Sequence, residues 1–403
     1  MKIRKNISMV LCIGAALLLC SCQKTPDTVK QNASKYQKIQ NVKKAKLQYV
    51  SVGHILDDQE EVLAGSYQNL TFEKTVHIDQ PDSISVLSLK VADPFGTKEK
   101  LGDICRSFWG TDKYRKKIMR LDDLKEYPKG VGIYAFHYYG DDAKDSARMS
   151  DNGYVALYKE NSELGTNGQQ EIFHIDWNED LDKVYELDGE KIRVRDAVEY
   201  VNRWCNDHWK ILEPDYNYKV KTVYVCRNKE KGCYFCFDVC KFYQGMPFDD
   251  IQFYTNDGKY YIRNSLDVVM EQSQDISFFR NNDNSYKLVN DEKHNDKVIG
   301  LKQAVMLVQE KMTGRQKFKI ADIDLKYVIC SDLTKDDLEK KNISSYDFPG
   351  NPATARPVWS FILDYEPTKE EKEYNAWPRK FINVDMITGE ILYQDLASWH
   401  CDL

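Results

Sequence analysis

The sequence predicts an α+β protein: an N-terminal β-rich domain followed by two tandem units, each a helix plus an antiparallel sheet. Three observations carry that expectation. Tyr occurs 26 times and aromatic residues make up 12% of the chain; with runs of Val, Ile and Thr this composition favours strands. The first half alternates apolar and polar residues in short segments bounded by turn residues. The second half presents one order of elements twice. Val194, Ala197, Val198, Val201 and Cys205 open one copy, and Leu301, Ala304, Val305, Val308 and Met312 open the other, at a constant offset of 107 residues. Both sets follow one face of an amphipathic helix.

At the N-terminus, Lys2, Arg4 and Lys5 precede an apolar stretch from Ile7 to Leu19, followed by Cys20, Ser21 and Cys22. This is the pattern of a secretory signal. Its end resembles the bacterial lipobox, with Leu19 three residues and Ser21 one residue before Cys22. The resemblance implies that Cys22 receives a diacylglyceryl group and becomes the mature N-terminus. The chain is then expected on the extracytoplasmic face of the cell membrane, held by lipid. The rival reading is an uncleaved transmembrane anchor, but the run is shorter than the roughly 20 residues a spanning helix needs.

Removing residues 1–21 leaves 382 of the 403 residues, more than one small core requires. The net charge becomes −9, because the signal takes three basic residues and no acid from totals of 57 and 63. An acidic chain does not wrap nucleic acid and is repelled by an anionic membrane surface. Two acyl chains, rather than a basic patch, would hold it down. Residues 22–48 are mostly polar and read as a flexible tether.

The N-terminal α+β domain is expected over residues 49–189. Asn69–Ile78 and Ser83–Val91 alternate as strands, with Leu87, Leu89 and Val91 as core and a change of phase between Val86 and Leu87. Gly102–Gly110 reads as a short helix. Val131–Tyr139 and Asn152–Tyr158 read as paired strands around the Gly140-Asp141-Asp142 loop.

The two units are expected over 190–290 and 296–398. After each helix come two strands, Val223–Cys226 and Phe235–Asp238 in one, Lys326–Cys330 and Phe361–Asp364 in the other. A hairpin closes each, Phe253–Tyr261 and Phe381–Leu392. In the second hairpin, Asn383-Val384-Asp385-Met386-Ile387-Thr388-Gly389-Glu390-Ile391 forms a tight-turn pattern. Asp385 and Thr388 can bond turn amides there, and Gly389 can take a positive φ. This pattern resembles the PepSY domain of secreted bacterial proteins. The first unit departs from it, with Tyr254 where the second has Asp385. The resemblance implies a PepSY-like fold for both units and a peptidase or other envelope protein as partner. The whole chain also resembles a family of uncharacterised clostridial-type lipoproteins of Gram-positive bacteria, through Cys22-Gln23, Asn69-Leu70-Thr71-Phe72 and Val91-Ala92-Asp93-Pro94-Phe95.

Eight further cysteines remain after processing. Cys226 and Cys233 flank a hairpin loop and are the pair expected to bridge if any does. A disulfide between Cys233 and Cys236 is excluded on a strand, where residues three apart face opposite ways. Zinc held by Cys226, Cys233, Cys236 and Cys240 would require that strand to break. Buried, reduced thiols are the reading for most of the set.

The motifs of serine hydrolases, zinc metalloproteases, P-loops and dinucleotide-binding folds are absent from the sequence. The seven His are dispersed, and the paired Asp residues do not fit a calcium loop. No catalytic residue, cofactor or metal is assigned. The expected function is a non-enzymatic binding module for an envelope protein. The alternative is a carbohydrate or small-solute ligand held on Tyr134, Phe136, His137, Tyr138, Tyr139, Tyr154 and Tyr158. An enzyme would require two facing carboxylates, or a His–Asp pair, brought together only by the fold.

Overall fold

Strands dominate the computed structural model. It describes residues 47–364 and 381–393, apart from 74–77, 92–93, 111–114, 121–133, 140–144, 151–153, 161, 164, 167, 176–178, 230–231, 250–252, 255–258, 263, 282–284, 312–317 and 335–352. Cys22, the signal and nearly all of the tether lie outside the described residues.

Helix α1 (Gln59–Ala64) is followed by β1 (Leu70–Phe72), β2 (Ser85–Val91), α2 (Pro94–Trp109), β3 (Arg115–Arg120), β4 (Tyr134–Tyr139), β5 (Ser146–Ser150), β6 (Val155–Tyr158) and β7 (Gln169–His174). The hairpin of β8 (Val184–Leu187) and β9 (Glu190–Arg193) runs into α3 (Val194–Asp207). Next come β10 (Asn217–Asn228), β11 (Gly232–Tyr243), β12 (Met246–Pro247), β13 (Phe253–Tyr254), β14 (Lys259–Ile262), β15 (Ser265–Gln272), β16 (Asp275–Asn281) and β17 (Tyr286–Lys293). Helix α4 (Leu301–Lys311) precedes β18 (Phe318–Thr334), β19 (Ala353–Leu363), β20 (Phe381–Asp385) and β21 (Ile391–Tyr393).

These strands form two large sheets. A ten-stranded sheet runs β3-β4-β5-β6-β16-β15-β11-β10-β7, with β12 beside β11. A nine-stranded sheet runs β13-β14-β18-β19-β2-β17, with β1 on β18 and the β20–β21 hairpin on β19. The β19 edge is shared. Ala353–Ala355 pair with β2, and Val358–Ile362 pair with β20. The change of partner falls at Pro357, which has no N–H to offer; its carbonyl accepts from Met386 N at 3.0 Å.

This overturns the expected α+β arrangement of a β-rich domain and two PepSY-like helix-plus-sheet units. The described residues are mostly β, 51% strand against 20% helix, so helices are minor additions to two sheets. Elements of the expected segments also interleave. Strand β2 pairs with β17 and β19, and β6 and β7 join β16 and β10. The hairpin expected to close the first unit instead pairs, through β14, with β18 in the other sheet. The periodicity marked where strands form. Partners were settled by long-range edges that must each be paired or covered.

Several local readings correspond to the structure. The faces of α3 and α4 are buried at Val194, Ala197, Val198, Val201 and Cys205, and at Leu301, Ala304, Val305 and Val308. Met312 lies outside the described residues. Leu87 and Leu89 are buried, but the bulge lies in the partner strand, where the register shifts between Leu288 and Asn290. The Asp385 turn forms as read: its Oδ1 accepts from Ile387 N at 2.9 Å and Thr388 N at 2.8 Å. Gly389 has φ 69°. Strand β4 does not pair with β6; β5 stands between them. The short helix expected at Gly102–Gly110 begins earlier, at Pro94.

Candidate functional site

In an antiparallel sheet, residues directly opposite one another share a face, and neighbours along a strand alternate faces. Two adjacent rows of the ten-stranded sheet show the consequence. The first row is Phe173, Val223, Phe237, Val268, Phe279 and Leu157, in register from β7 to β6. All six are buried. Helix α3 and the turn after it cover this row. The rings of Trp204 and Trp209 lie 5.3 and 4.5 Å from Phe279.

One residue further along each strand, on the other face, the row is His174, Thr222, Asp238, Asp267, Arg280 and Ala156. Asp238 and Asp267 stand directly opposite each other across β11 and β15, which places their Cβ atoms about 4.5–5.5 Å apart. Tyr224 OH donates to Asp238 Oδ2 at 2.7 Å. Arg280 donates to Asp267 Oδ2 from Nε at 3.2 Å and also from Nη2. Burial opposes the charge of Arg280, but Asp267 outweighs it and raises the guanidinium pKa, with Tyr154 and Tyr158 adding to the effect. The side chains of Arg280 and Asp267 remain 36% and 20% exposed. Tyr224, Asp238, Tyr154 and Tyr158 are half-buried. The Tyr158 ring lies 5.2 Å from Phe278, and the Arg280 guanidinium 5.6 Å from the same ring. The result is a polar row of two carboxylates and a cation, bordered by tyrosines and accessible to solvent.

The next row on this face is Ile172, Tyr224, Cys236, Val269, Phe278 and Tyr158. Cys226 lies opposite Tyr234, two residues along from the Tyr224–Cys236 pair. Cys226, Tyr234 and Cys236 therefore share this face, and all three are buried. The Gly165 carbonyl accepts from Tyr234 OH at 3.2 Å and from Cys236 Sγ at 3.1 Å. The two thiols pack in one buried cluster, and Cys226 Sγ donates to the Tyr224 carbonyl at 3.9 Å. Interaction with Cys236 holds the Cys226 thiol below its ordinary pKa against the opposing effect of burial, and interaction with Cys226, then burial, drives Cys236 well above its own.

The expected Cys226–Cys233 bridge is corrected by this register. Cys233 lies opposite Arg227 and adjoins Tyr234 on its strand, so it points to the other face, away from Cys226. No described cysteine is disulfide-bonded. Strand β11 is unbroken through Cys233, Cys236 and Cys240, the condition that disfavoured zinc.

The other expected residues divide as follows. Tyr154 and Tyr158 border the polar row. Tyr134–Tyr139 form β4, an interior strand between β3 and β5, and the side chains of Tyr134, Phe136, His137, Tyr138 and Tyr139 lie outside the described residues. His54 Nδ1 lies 2.7 Å from Asp57 Oδ2 on an exposed turn. Asp238 ends a strand that the sequence reading located. Asp267 was missed, and the alternation of Asp267 with Val268 in β15 was its available signal.

A second charged cluster lies inside the molecule and is built for stability. Glu213 Oε1 accepts from Lys241 Nζ at 2.5 Å and from Tyr286 N at 3.1 Å. Its Oε2 accepts from Tyr218 OH at 2.7 Å and Trp209 Nε1 at 3.1 Å. Lys241 Nζ also lies 5.0 Å from the Tyr216 ring centre. Burial, then Glu213, pushes the Tyr218 hydroxyl far above its ordinary pKa. Both oxygens of Glu213 are committed to donors, which suits structure rather than proton transfer.

No protein family and no curated protein matches the sequence. Among solved structures, the chain is similar to an uncharacterised protein from Eubacterium rectale ATCC 33656, determined at 1.45 Å resolution. The match has a TM-score of 0.52 at 14% identity and covers 86% of this chain and 100% of that one. It shows a shared fold. Among the described residues, no helix is long and apolar enough to cross a membrane.

Proposed function

We propose that the protein is a lipid-anchored, extracytoplasmic binding module whose ligand is a glycan or another polyhydroxylated solute. The ligand would lie along the partly exposed row of Asp238, Asp267 and Arg280 in the ten-stranded sheet. The anchor rests on the lipobox-like residues ending at Cys22. The ligand class rests on one observation: Asp238 and Asp267 stand side by side, held by Tyr224 and Arg280, with Tyr154 and Tyr158 at the border. Fixed carboxylates accept hydrogen bonds from sugar hydroxyls, Arg280 supplies donors, and tyrosine rings offer an apolar surface for a sugar face. The site combines the tyrosine alternative read from the sequence with carboxylates that only the fold brings together. A peptidase partner rested on the PepSY-like units and loses its support with them.

Binding rather than cleavage is favoured because both carboxylates are engaged by neighbouring side chains that orient them as acceptors. The test is a glycan array with the full chain in detergent, repeated for Tyr158→Ala, Tyr224→Phe and Asp238→Asn. Selective binding that falls at least tenfold in Asp238→Asn would support the reading. A blank array would sink it. Release of reducing sugar by the wild type, lost in Asp238→Asn and Asp267→Asn, would replace binding with hydrolysis.

A further inference from the structure

We infer that Cys226 and Cys236 form a two-thiol site for one soft d10 metal ion, with Cu(I) as its ligand. The two cysteines sit on one face of the β10–β11 hairpin, packed in one buried cluster, with Cys236 Sγ bonded to the Gly165 carbonyl. Their register is diagonal, since Cys226 faces Tyr234 while Cys236 faces Tyr224. Diagonal neighbours in an antiparallel pair have Cα atoms about 7–8 Å apart. A disulfide usually needs them within about 6.8 Å and an S–S bond of about 2.0 Å, so closing one would require the sheet to move. A bridging metal relaxes that demand. With each sulfur about 2.3 Å from the ion, the sulfurs can remain up to about twice that distance apart, which matches side chains that lean together from diagonal positions.

The choice of metal follows from the donors. Two thiolates select a soft ion, whereas structural zinc requires four ligands in a tetrahedron. Among the described residues, no group of three or more His, Cys, Asp or Glu is placed to hold a metal. The remaining neighbours are the Tyr234 hydroxyl, the Gly165 carbonyl and the apolar Val269 and Phe278. They shield the sulfurs from water, and one carbonyl and one hydroxyl are too few oxygen donors for a hard cation, which takes six or more. Binding displaces the thiol protons.

The site is independent of the glycan reading and can be tested apart from it. The full chain, purified in detergent under anoxic reducing conditions, would be titrated with Cu(I) as its acetonitrile complex against bicinchoninate. One equivalent should be withheld from the chelator. Cys226→Ser and Cys236→Ser should each weaken retention at least tenfold, while Cys233→Ser, on the opposite face, should match the wild type. Zn(II) should wash out. If a serine variant fails to fold, copper-edge X-ray absorption of the wild type still decides, and should show two sulfur neighbours. The inference fails if the wild type retains no Cu(I), if Cys233→Ser matters as much as the other two, or if absorption shows three or more sulfurs. It also fails if a small-molecule disulfide readily links Cys226 to Cys236 with loss of two protons and two electrons.

Discussion

The two faces of the ten-stranded sheet are made by the same strands and differ by a shift of one residue. On one face, Phe173, Val223, Phe237, Val268, Phe279 and Leu157 lie under α3 and are sealed. On the other, Asp238, Asp267 and Arg280 carry charge and are partly exposed, beside the buried Thr222. The covered side also holds the Glu213–Lys241 pair, 0% and 2% exposed. The open side holds Asp267–Arg280. Both are carboxylate–cation contacts, yet their energetics differ. A buried pair is costly to break because the remaining charge cannot be hydrated, whereas a half-exposed pair loses little when water can replace a partner.

Breaking that contrast should give its largest effect at Lys241. Lys241→Ala leaves Glu213 charged and buried, and should cost about 3–5 kcal/mol, read as a lower denaturation midpoint. A loss below about 1 kcal/mol would mean that water reaches Glu213 and that the covered face is not sealed.

Gly168→Ala should come next. Gly168 has φ +71°, and an added Cβ would lie 2.3 Å from the Arg227 carbonyl oxygen, beside the end of β10. Positive φ and a backbone clash together should cost about 1–3 kcal/mol. An unchanged thermal midpoint would contradict this close approach.

Asp267→Asn sharpens the comparison from the open side. Its stability cost should be no more than about 1 kcal/mol, while affinity for the array ligand should fall at least tenfold. A destabilisation equal to that of Lys241→Ala would make the polar row structural and erase the distinction between the faces.

The smallest effect should come from Glu171 on edge strand β7. Hydrogen bonds from Lys183 and then Tyr185 hold its carboxyl below the ordinary value of 4.5. A depressed folded pKa contributes stability that is present above the unfolded value and is lost as pH falls through the folded one. Solvent screening limits it to under about 1 kcal/mol. The difference between wild type and Glu171→Gln should therefore be small at neutral pH and shrink further below about pH 4. A difference that grows on acidification would reverse the sign argued here.

Much of the local structure could be read from residues alone. Val194, Ala197, Val198, Val201 and Cys205 declare a helix face through their spacing. Asp385, Thr388 and Gly389 declare a turn through bonds within a few residues. Leu87 and Leu89 declare a core-facing edge of a strand. Each signal is local, because the chemistry that decides it lies within one turn or one strand. The face shared by Tyr234 and Cys236 was also implicit in strand alternation, and that alternation already excluded a bond between Cys233 and Cys236.

The tertiary structure decided everything that depends on which strand lies beside which. Hairpin Phe253–Tyr261 carries the same alternation whichever sheet accepts it, and β2 pairs with strands almost 200 residues or more downstream. Asp238 and Asp267 are unremarkable polar positions in two separate segments until the β11–β15 register sets them opposite each other. Cys226 and Cys236 meet, and Cys226 and Cys233 do not, because of a single residue of register. Periodicity determined which residues of a strand share a face. Only long-range edge pairing, which no local pattern encodes, determined what that face contains.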